Sequence, residues 1–173
     1  ALPISVKLRP GRRDPAEILA LMPILNAHPL ARIIIHPRVG IQMYRGEVDL
    51  EGFAAAAALS THEVVYNGDI KDARTFETLR SRFPAVREWM IGRWAISDPF
   101  LVGRLKAEPR VRDRVGTLRA FHDGLYAGYR EVLYGPAHVL DKMKEVWGFL
   151  GTSFPRAGKQ LGRISQARTL EAY

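Results

Sequence analysis

The chain has 173 residues, of which 47% are hydrophobic and 25% charged, so it has a globular composition and enough length for one good core. It contains no cysteine, which excludes disulfides, a thiolate nucleophile and a cysteine-ligated metal. The net charge of +8 favours a polyanionic partner such as nucleic acid. No apolar run approaches the roughly 20 residues that span a bilayer, and no signal-peptide pattern opens the chain. We therefore expect a soluble, cytoplasmic protein without a membrane partner.

The first part of the chain repeats a strand–loop–helix pattern three times and then adds a fourth strand. Short apolar, β-branched runs predict strands at 3–9, 31–35, 64–70 and 89–92. Helices are predicted between them at 16–27, 50–59 and 73–83, the first with Asp14 as its N-cap and Pro15 at its first position. Strands that alternate with helices imply parallel pairing and right-handed crossovers. The predicted fold class is α/β, with about four βα units.

From residue 98 onward the pattern predicts helices only, at 100–106, 110–134, 137–150 and 156–170. Gly151 stands where a C-cap would end the third of these helices. This part holds 13 lysines and arginines against 8 acidic residues, so it is the more basic part of the chain. We expect an α/β domain at 1–106 and a helical domain at 107–173.

Polar and cationic residues follow the predicted strands at the point where each strand ends. They are Lys7 and Arg9; His36 and Arg38; Asn67, Gly68 and Asp69; Gly92 and Arg93. Ligands of parallel α/β folds bind at these carboxyl ends. The set has no Ser–His–Asp order, no paired carboxylates and no metal-ligand cluster. Cations beside glycines suit a bound anion such as a phosphate.

Simpler explanations exist for most of these residues. The Asn67 and Gly68 pair alone is typical of a tight turn. His36 after a buried strand is as often a structural histidine, and Arg93 can pair with Asp98. Lys7 is harder to explain, because a lysine facing inward on a half-buried strand costs free energy unless it meets an anion or an acceptor.

Five segments spread over nearly the whole chain carry a family resemblance. They read S-V-K-L-R at 5–9, I-I-I-H-P-R at 33–38 with Q-M-Y at 42–44, Y-N-G-D-I at 66–70, M-I-G-R at 90–93 with D-P-F at 98–100, and K-M-K-E-V-W-G-F-L at 142–150. In this order and spacing they resemble the C-terminal half of a tRNA-dihydrouridine synthase. The resemblance implies half of an FMN-binding TIM (β/α)8 barrel followed by an all-α helical bundle domain that binds tRNA. The implied reaction is the NADPH-linked reduction of the C5=C6 bond of a uridine in tRNA.

The resemblance also implies roles for individual residues. Lys7 and His36 would contact the flavin ring system. The cofactor's ribityl and phosphate side would be lined by Asn67, Gly68 and Asp69, and its phosphate held by Gly92 and Arg93. Three residues would bind the substrate and face the target uridine: Arg9, Arg38 and Tyr44. The family's catalytic cysteine belongs to the N-terminal half, so no catalytic residue and no metal ligand is assigned in this chain.

The sequence departs from the family pattern in two ways, because it holds four strands of an eight-stranded barrel and no cysteine. A half-barrel leaves two sheet edges and an apolar interior face exposed. We therefore expect a partial sequence, inactive alone, that pairs with the missing half or with a second copy. Two alternatives stay open: a non-catalytic RNA-binding module, and an FMN barrel of the dihydroorotate dehydrogenase or ene-reductase kind, against which the basic helices argue.

Overall fold

The computed structural model describes residues 3–173 and divides the chain into two compact units. The first unit ends at Gly92, and the second is Arg93–Tyr173. The boundary predicted between residues 106 and 107 therefore falls inside the second unit. The first two residues of the predicted domain at 1–106 lie outside the described residues.

The first unit is a four-stranded parallel sheet with a helix after each of its first three strands. The strands are β1 (Ser5–Leu8), β2 (Arg32–Ile35), β3 (Glu63–Tyr66) and β4 (Glu88–Trp89), and they lie in this order in the sheet. The helices are α1 (Glu17–Asn26), α2 (Leu50–Leu59) and α3 (Ala73–Arg82), and a 3₁₀ turn (Gly40–Gln42) precedes α2. All three strand pairs are parallel, so the α/β prediction with four strands is confirmed.

One face of the sheet forms the apolar core of this unit. Ile33, Ile35 and Tyr66 are fully buried at alternate strand positions. The Tyr66 ring lies 4.9 Å from the ring of Phe53 on α2 and 5.5 Å from that of Trp89, measured between centroids. The β-branched and aromatic residues that predicted the strands are thus the residues that pack beneath the helices.

The opposite face carries Lys7, Ile34, Val65 and Glu88 at successive paired positions. The prediction that the apolar residues of this face are exposed was wrong for Ile34 and Val65, which are 7% and 4% exposed. An ion pair between Arg32 and Glu88 lies on the same face and, by the strand register, crosses β3 beside Val65. Long charged side chains can cover apolar surface with their aliphatic parts.

The predicted ends of several elements in this unit were wrong. β3 ends at Tyr66, and residues 67–70 form a loop. Ile70 is buried in this loop, which is why the sequence pattern predicted a strand that continues to residue 70. β4 is confined to Glu88–Trp89, so residues 90–92 are not part of a strand. α1 begins at Glu17 with Ala16 as its N-cap, so the prediction of Asp14 as the N-cap was wrong. Asp14 instead accepts a hydrogen bond from the backbone N–H of Ala16 in the turn that precedes the helix.

The second unit is built of helices and the loops between them. They are α4 (Arg93–Ser97), α5 (Leu101–Leu105), α6 (Arg114–Val132), α7 (Pro136–Leu150), a 3₁₀ turn (Gly151–Ser153) and α8 (Gly158–Gln166). The main buried stripe of this unit lies on α7 and consists of Val139, Leu140, Met143, Val146 and Leu150. α6 is fully described and has no buried side chain along its 19 residues.

The sequence did not predict α4, which has only five residues. α6 begins at Arg114 rather than at 110, because the Asp113 side chain accepts a hydrogen bond from the backbone N–H of Gly116 and caps the helix. α8 ends at Gln166, short of the predicted 170. Gly151 follows α7 as predicted, but its φ of −57° continues the right-handed path into the 3₁₀ turn. Within residues 3–173, no helix is both long and apolar enough to cross a membrane.

Candidate functional site at the strand ends

The carboxyl ends of the strands bring several predicted residues to one face of the sheet. Backbone pairing continues one residue beyond the strands, because the His36 N–H donates to the Leu8 carbonyl at 3.0 Å and the Asn67 N–H to the Ile35 carbonyl at 2.9 Å. Side chains alternate between the two faces of a strand. His36 and Asn67 therefore lie, together with Lys7 and Arg9, on the face opposite Tyr66.

His36 is the buried polar centre of this cluster. It is 6% exposed, and its Nδ1 is buried without a hydrogen-bond partner among the described residues. Burial, followed by the positive charges of Arg9, Lys7 and Arg38, lowers the pKa of His36 from 6.5 to about 4. The imidazole is therefore neutral at physiological pH. A buried ring nitrogen without a protein partner is typical of a site completed by another molecule.

Lys7 lies on the same face, and its strand β1 is half-buried as predicted. The Lys7 side chain itself is exposed, because β1 is an edge strand of the described sheet, so the cost of an inward-facing lysine does not arise within this chain. Partial desolvation lowers the pKa of Lys7, and the nearby charge of Arg9 lowers it further. An anion bound between these two cations would relieve their repulsion.

Arg9 holds the loop that follows β2. Its guanidinium donates to the carbonyl of Val39 at 2.9 Å and to the carbonyl of Met43 at 2.7 Å. The guanidinium carbon also lies 5.6 Å from the ring centroid of Tyr44, within the range of a cation–π contact. The Tyr44 ring is in turn edge-on to His36, with 6.5 Å between centroids. Arg9 thereby positions Tyr44 beside the buried histidine.

Arg38 and Asp69 join the loops that follow β2 and β3. Arg38 is 3% exposed and donates two hydrogen bonds to the Asp69 carboxylate, one of them 3.0 Å long from Nη1 to Oδ1. It donates two more to the carbonyl of Gly46, at 2.7 and 3.2 Å. Four of its five N–H donors are accounted for by these bonds within the chain. The uridine contact of Arg38 and the flavin-side role of Asp69 stay predictions.

Asn67 and Gly68 are both engaged with their own chain. Asn67 Nδ2 donates to the carbonyl of Met90 at 2.8 Å and so ties the ends of β3 and β4 together. A Cβ atom at Gly68 would lie 3.1 Å from Tyr66 Oη and 3.3 Å from Val48 Cγ1. A larger residue at this position would therefore force neighbouring side chains to shift by a few tenths of an ångström.

Gly92 and Arg93 lie where the two units meet in sequence. A Cβ atom at Gly92 would meet nothing within 4 Å, so the space beside this backbone is open. Arg93 is the first residue of α4 and of the second unit. Asp98 forms an ion pair with Arg104 at 2.6 Å. The pairing of Arg93 with Asp98 stays a prediction.

Sequence reasoning missed two features of the site. Gly46 accepts the hydrogen bonds of Arg38 with its backbone in the left-handed region, at φ +68°, and only a glycine within a polar loop hinted at this. The Tyr66 hydroxyl is fully buried without a partner among the described residues, and no sequence signal marked it. Burial raises the pKa of Tyr66, and the charge of Asp69 raises it further. Residues 3–173 contain no group of three or more His, Cys, Asp or Glu arranged to hold a metal ion.

A comparison of the sequence with known families identifies the family of the chain. A family model described as dihydrouridine synthase (Dus) matches residues 1–134. The chain belongs to the dihydrouridine synthase family. The matched region of this Dus chain takes in all four strands and the helices through α6. The resemblance drawn from its motifs is confirmed.

Two curated relatives give the same result. The Dus chain is 32% identical over 120 residues to a probable tRNA-dihydrouridine synthase of Rhodobacter capsulatus, an alignment that covers 64% of this chain and 36% of the relative. It is 29% identical over 103 residues to a tRNA-dihydrouridine(16) synthase of Cupriavidus necator, covering 60% of this chain and 32% of that protein. The chain thus spans about a third of the length of the relatives it matches.

Proposed function

We propose that this chain is part of an FMN-dependent tRNA-dihydrouridine synthase, which reduces the C5=C6 bond of a uridine in tRNA with electrons from NADPH. The observation that carries the proposal is the buried, unpartnered Nδ1 of His36, which lies among cations in a chain of the Dus family. The names of the two relatives support tRNA as the substrate.

Three features of the strand ends suit FMN, which combines polar ring atoms with an anionic phosphate. His36 has a free ring nitrogen, Lys7 has an exposed ammonium with a lowered pKa, and Gly92 has open space beside its backbone. Lys7 and His36 would hold the ring system, with Asn67 and Gly68 on the ribityl side. Gly92 and Arg93 would hold the phosphate.

The finer architecture is part of the same proposal. The four parallel βα units would be the C-terminal half of a (β/α)8 barrel, and the helices after them a bundle that binds tRNA. Within such a barrel the face that carries Lys7 and His36 is the interior, because the other face is packed beneath helices. When bound, FMN would supply the hydride for the uracil ring, with NADPH as the source of the electrons.

The residues of this chain would orient the reactants. Neutral His36 can donate or accept one hydrogen bond at Nδ1 without a charge change near pH 7. Lys7 places a positive charge where negative charge develops during the reduction. Tyr44 is 55% exposed and is held by Arg9, so its ring offers a surface against which a base can stack. The sequence has no cysteine, so no residue of this chain is assigned as the proton donor.

The test uses the gene product that carries this chain. The purified protein should show a flavin absorption spectrum, release FMN on denaturation, and form dihydrouridine on unmodified tRNA when NADPH is supplied. A well-folded protein that is colourless and inactive would contradict the proposal. If that protein still bound tRNA, the alternative of an RNA-binding module without catalysis would take its place.

Two substitutions test the phosphate assignment separately. Arg93→Ala should weaken FMN binding about 10- to 100-fold through the loss of a charge-assisted hydrogen bond. Gly92→Ala should also weaken it, while changing stability little, because its Cβ would enter open space. Arg87→Ala is the matched control, since Arg87 is exposed at the opposite end of β4. Unchanged FMN affinity in both Arg93→Ala and Gly92→Ala would show that the phosphate binds elsewhere.

A further inference from the structure

The second unit contains a groove between α5 and α6 that the flavin site does not use. Its volume is about 770 Å³, within the range of small-molecule binding sites. Its walls combine aromatic, aliphatic, cationic and acidic side chains, among them Phe100, Arg110, Arg114 and Phe121 and the carboxylates of Asp98 and Glu108. All of these residues belong to the second unit.

Arg114 is the fixed element of this groove. Its guanidinium carbon lies 4.3 Å from the ring centroid of Phe100, within the range of a cation–π contact. The Arg114 side chain is nevertheless exposed. A planar guanidinium held on an aromatic ring loses little further freedom when a ligand binds to it. Nucleobases stack on such guanidinium planes.

The charge around the groove favours an anion. The charged residues that line it are Arg104, Arg110 and Arg114 against Asp98 and Glu108, which leaves a net charge of +1. Arg104 and Asp98 are paired with each other. Arg110 and Arg114 form no ion pair within residues 3–173, although the charge of Arg114 acts on the nearby Asp98 carboxylate.

We propose that this groove binds one nucleotide of single-stranded RNA, with the base on the Arg114 plane beside Phe121 and the phosphate at Arg110. A stacking surface next to a cation such as Arg110, which forms no ion pair within residues 3–173, is the combination that single-stranded RNA requires, whereas an acidic peptide would use the cations alone. The inference rests on the proposed function in one respect, since tRNA would supply the unpaired nucleotide.

Binding of a fluorescein-labelled oligouridylate to the 173-residue chain, followed by fluorescence anisotropy, tests the groove. Arg114→Ala should weaken binding at least about fivefold, the lower limit for the loss of one stacked base. Arg114→Lys should weaken it similarly, because an ammonium keeps the charge but lacks the plane. Arg110→Ala should reduce the slope of log K against log salt concentration by about 0.7, as expected for one lost phosphate contact on a single strand.

Arg119→Ala is the matched control, because Arg119 lies on the same helix and carries the same charge but does not line the groove. If Arg119→Ala weakens binding as much as Arg114→Ala, the attraction is diffuse and the groove is not a site. The proposal also fails if Arg114→Lys binds like the unaltered chain, or if polyglutamate competes as well as RNA. If Arg114→Ala does not fold, as thermal denaturation would show, the salt slope of Arg110→Ala tests the proposal instead. A slope reduced by about 0.7 supports the groove, and an unchanged slope contradicts it.

The groove and the enzymatic function fail separately. If the gene product forms dihydrouridine, but its Arg110→Ala and Arg114→Ala variants bind oligouridylate normally, the groove proposal is wrong and the proposed function is supported. Stacking-dependent RNA binding in a protein that forms no dihydrouridine would support the groove and remove the function.

Discussion

Acidification should destabilise the first unit through His36. Its pKa is about 4 in the folded chain and 6.5 as the ordinary value, chiefly because of burial. Between these values the unfolded chain binds a proton at residue 36 that the folded chain does not bind. The free energy of unfolding therefore falls as the pH falls from 6.5 towards 4, and the contribution is fully present above 6.5.

The size of this effect follows from the difference between the two pKa values. Each pH unit between the two pKa values lowers the free energy of unfolding by up to about 1.4 kcal/mol. At pH 5 the free energy of unfolding is therefore about 2 kcal/mol lower than at neutral pH. This figure is an upper value, because His36 is close to exposed Lys7 and solvent there screens the charges.

Urea unfolding near pH 7 and near pH 5, followed by circular dichroism, measures the loss. His36→Asn removes the titrating group, so the stability of this variant should fall about 2 kcal/mol less between the two pH values than that of the unaltered chain. His138→Asn is the control, because His138 is an exposed histidine on α7. If His36→Asn loses as much stability as the unaltered chain, His36 is not the buried neutral group described above.

Two further substitutions address the loops around the site. Asp69→Asn should lower the free energy of unfolding by about 3 kcal/mol, because it leaves the buried guanidinium of Arg38 without its counter-charge. Glu51→Gln is the control: it breaks an exposed pair with Arg82 and should lower the free energy of unfolding by less than about 1 kcal/mol. Similar losses for the two variants in urea unfolding would show that the Arg38 pair is no stronger than a surface pair. Tyr66→Phe should leave stability unchanged or raise it by up to about 1 kcal/mol, since it removes a buried hydroxyl without a partner among the described residues. A clear loss of stability in Tyr66→Phe would mean that the hydroxyl is hydrogen-bonded to an ordered water.

Much of the first unit could be predicted from local patterns. The alternation of apolar runs with amphipathic stretches predicted four parallel strands, because each strand must bury β-branched residues such as Ile33 and Ile35 beneath a helix. The strand ends were less predictable. Ile70 extends the apolar run of β3 although it is buried in a loop, and burial alone does not distinguish a strand from a loop.

The sequence by itself determined that cations, an amide and glycines gather where the parallel strands end, since that depends only on strand order and direction. The tertiary structure decided what each cation does. Arg9 and Arg38 are both arginines at or just beyond the end of a strand. In the structure, however, Arg9 donates a hydrogen bond to the Val39 carbonyl, 30 residues away, and Arg38 donates to the Asp69 carboxylate, 31 residues away. Lys7 is left exposed, and His36 is left buried with a free nitrogen. Such roles depend on partners brought close by folding, and the distance along the chain carries no signal of which partners will meet.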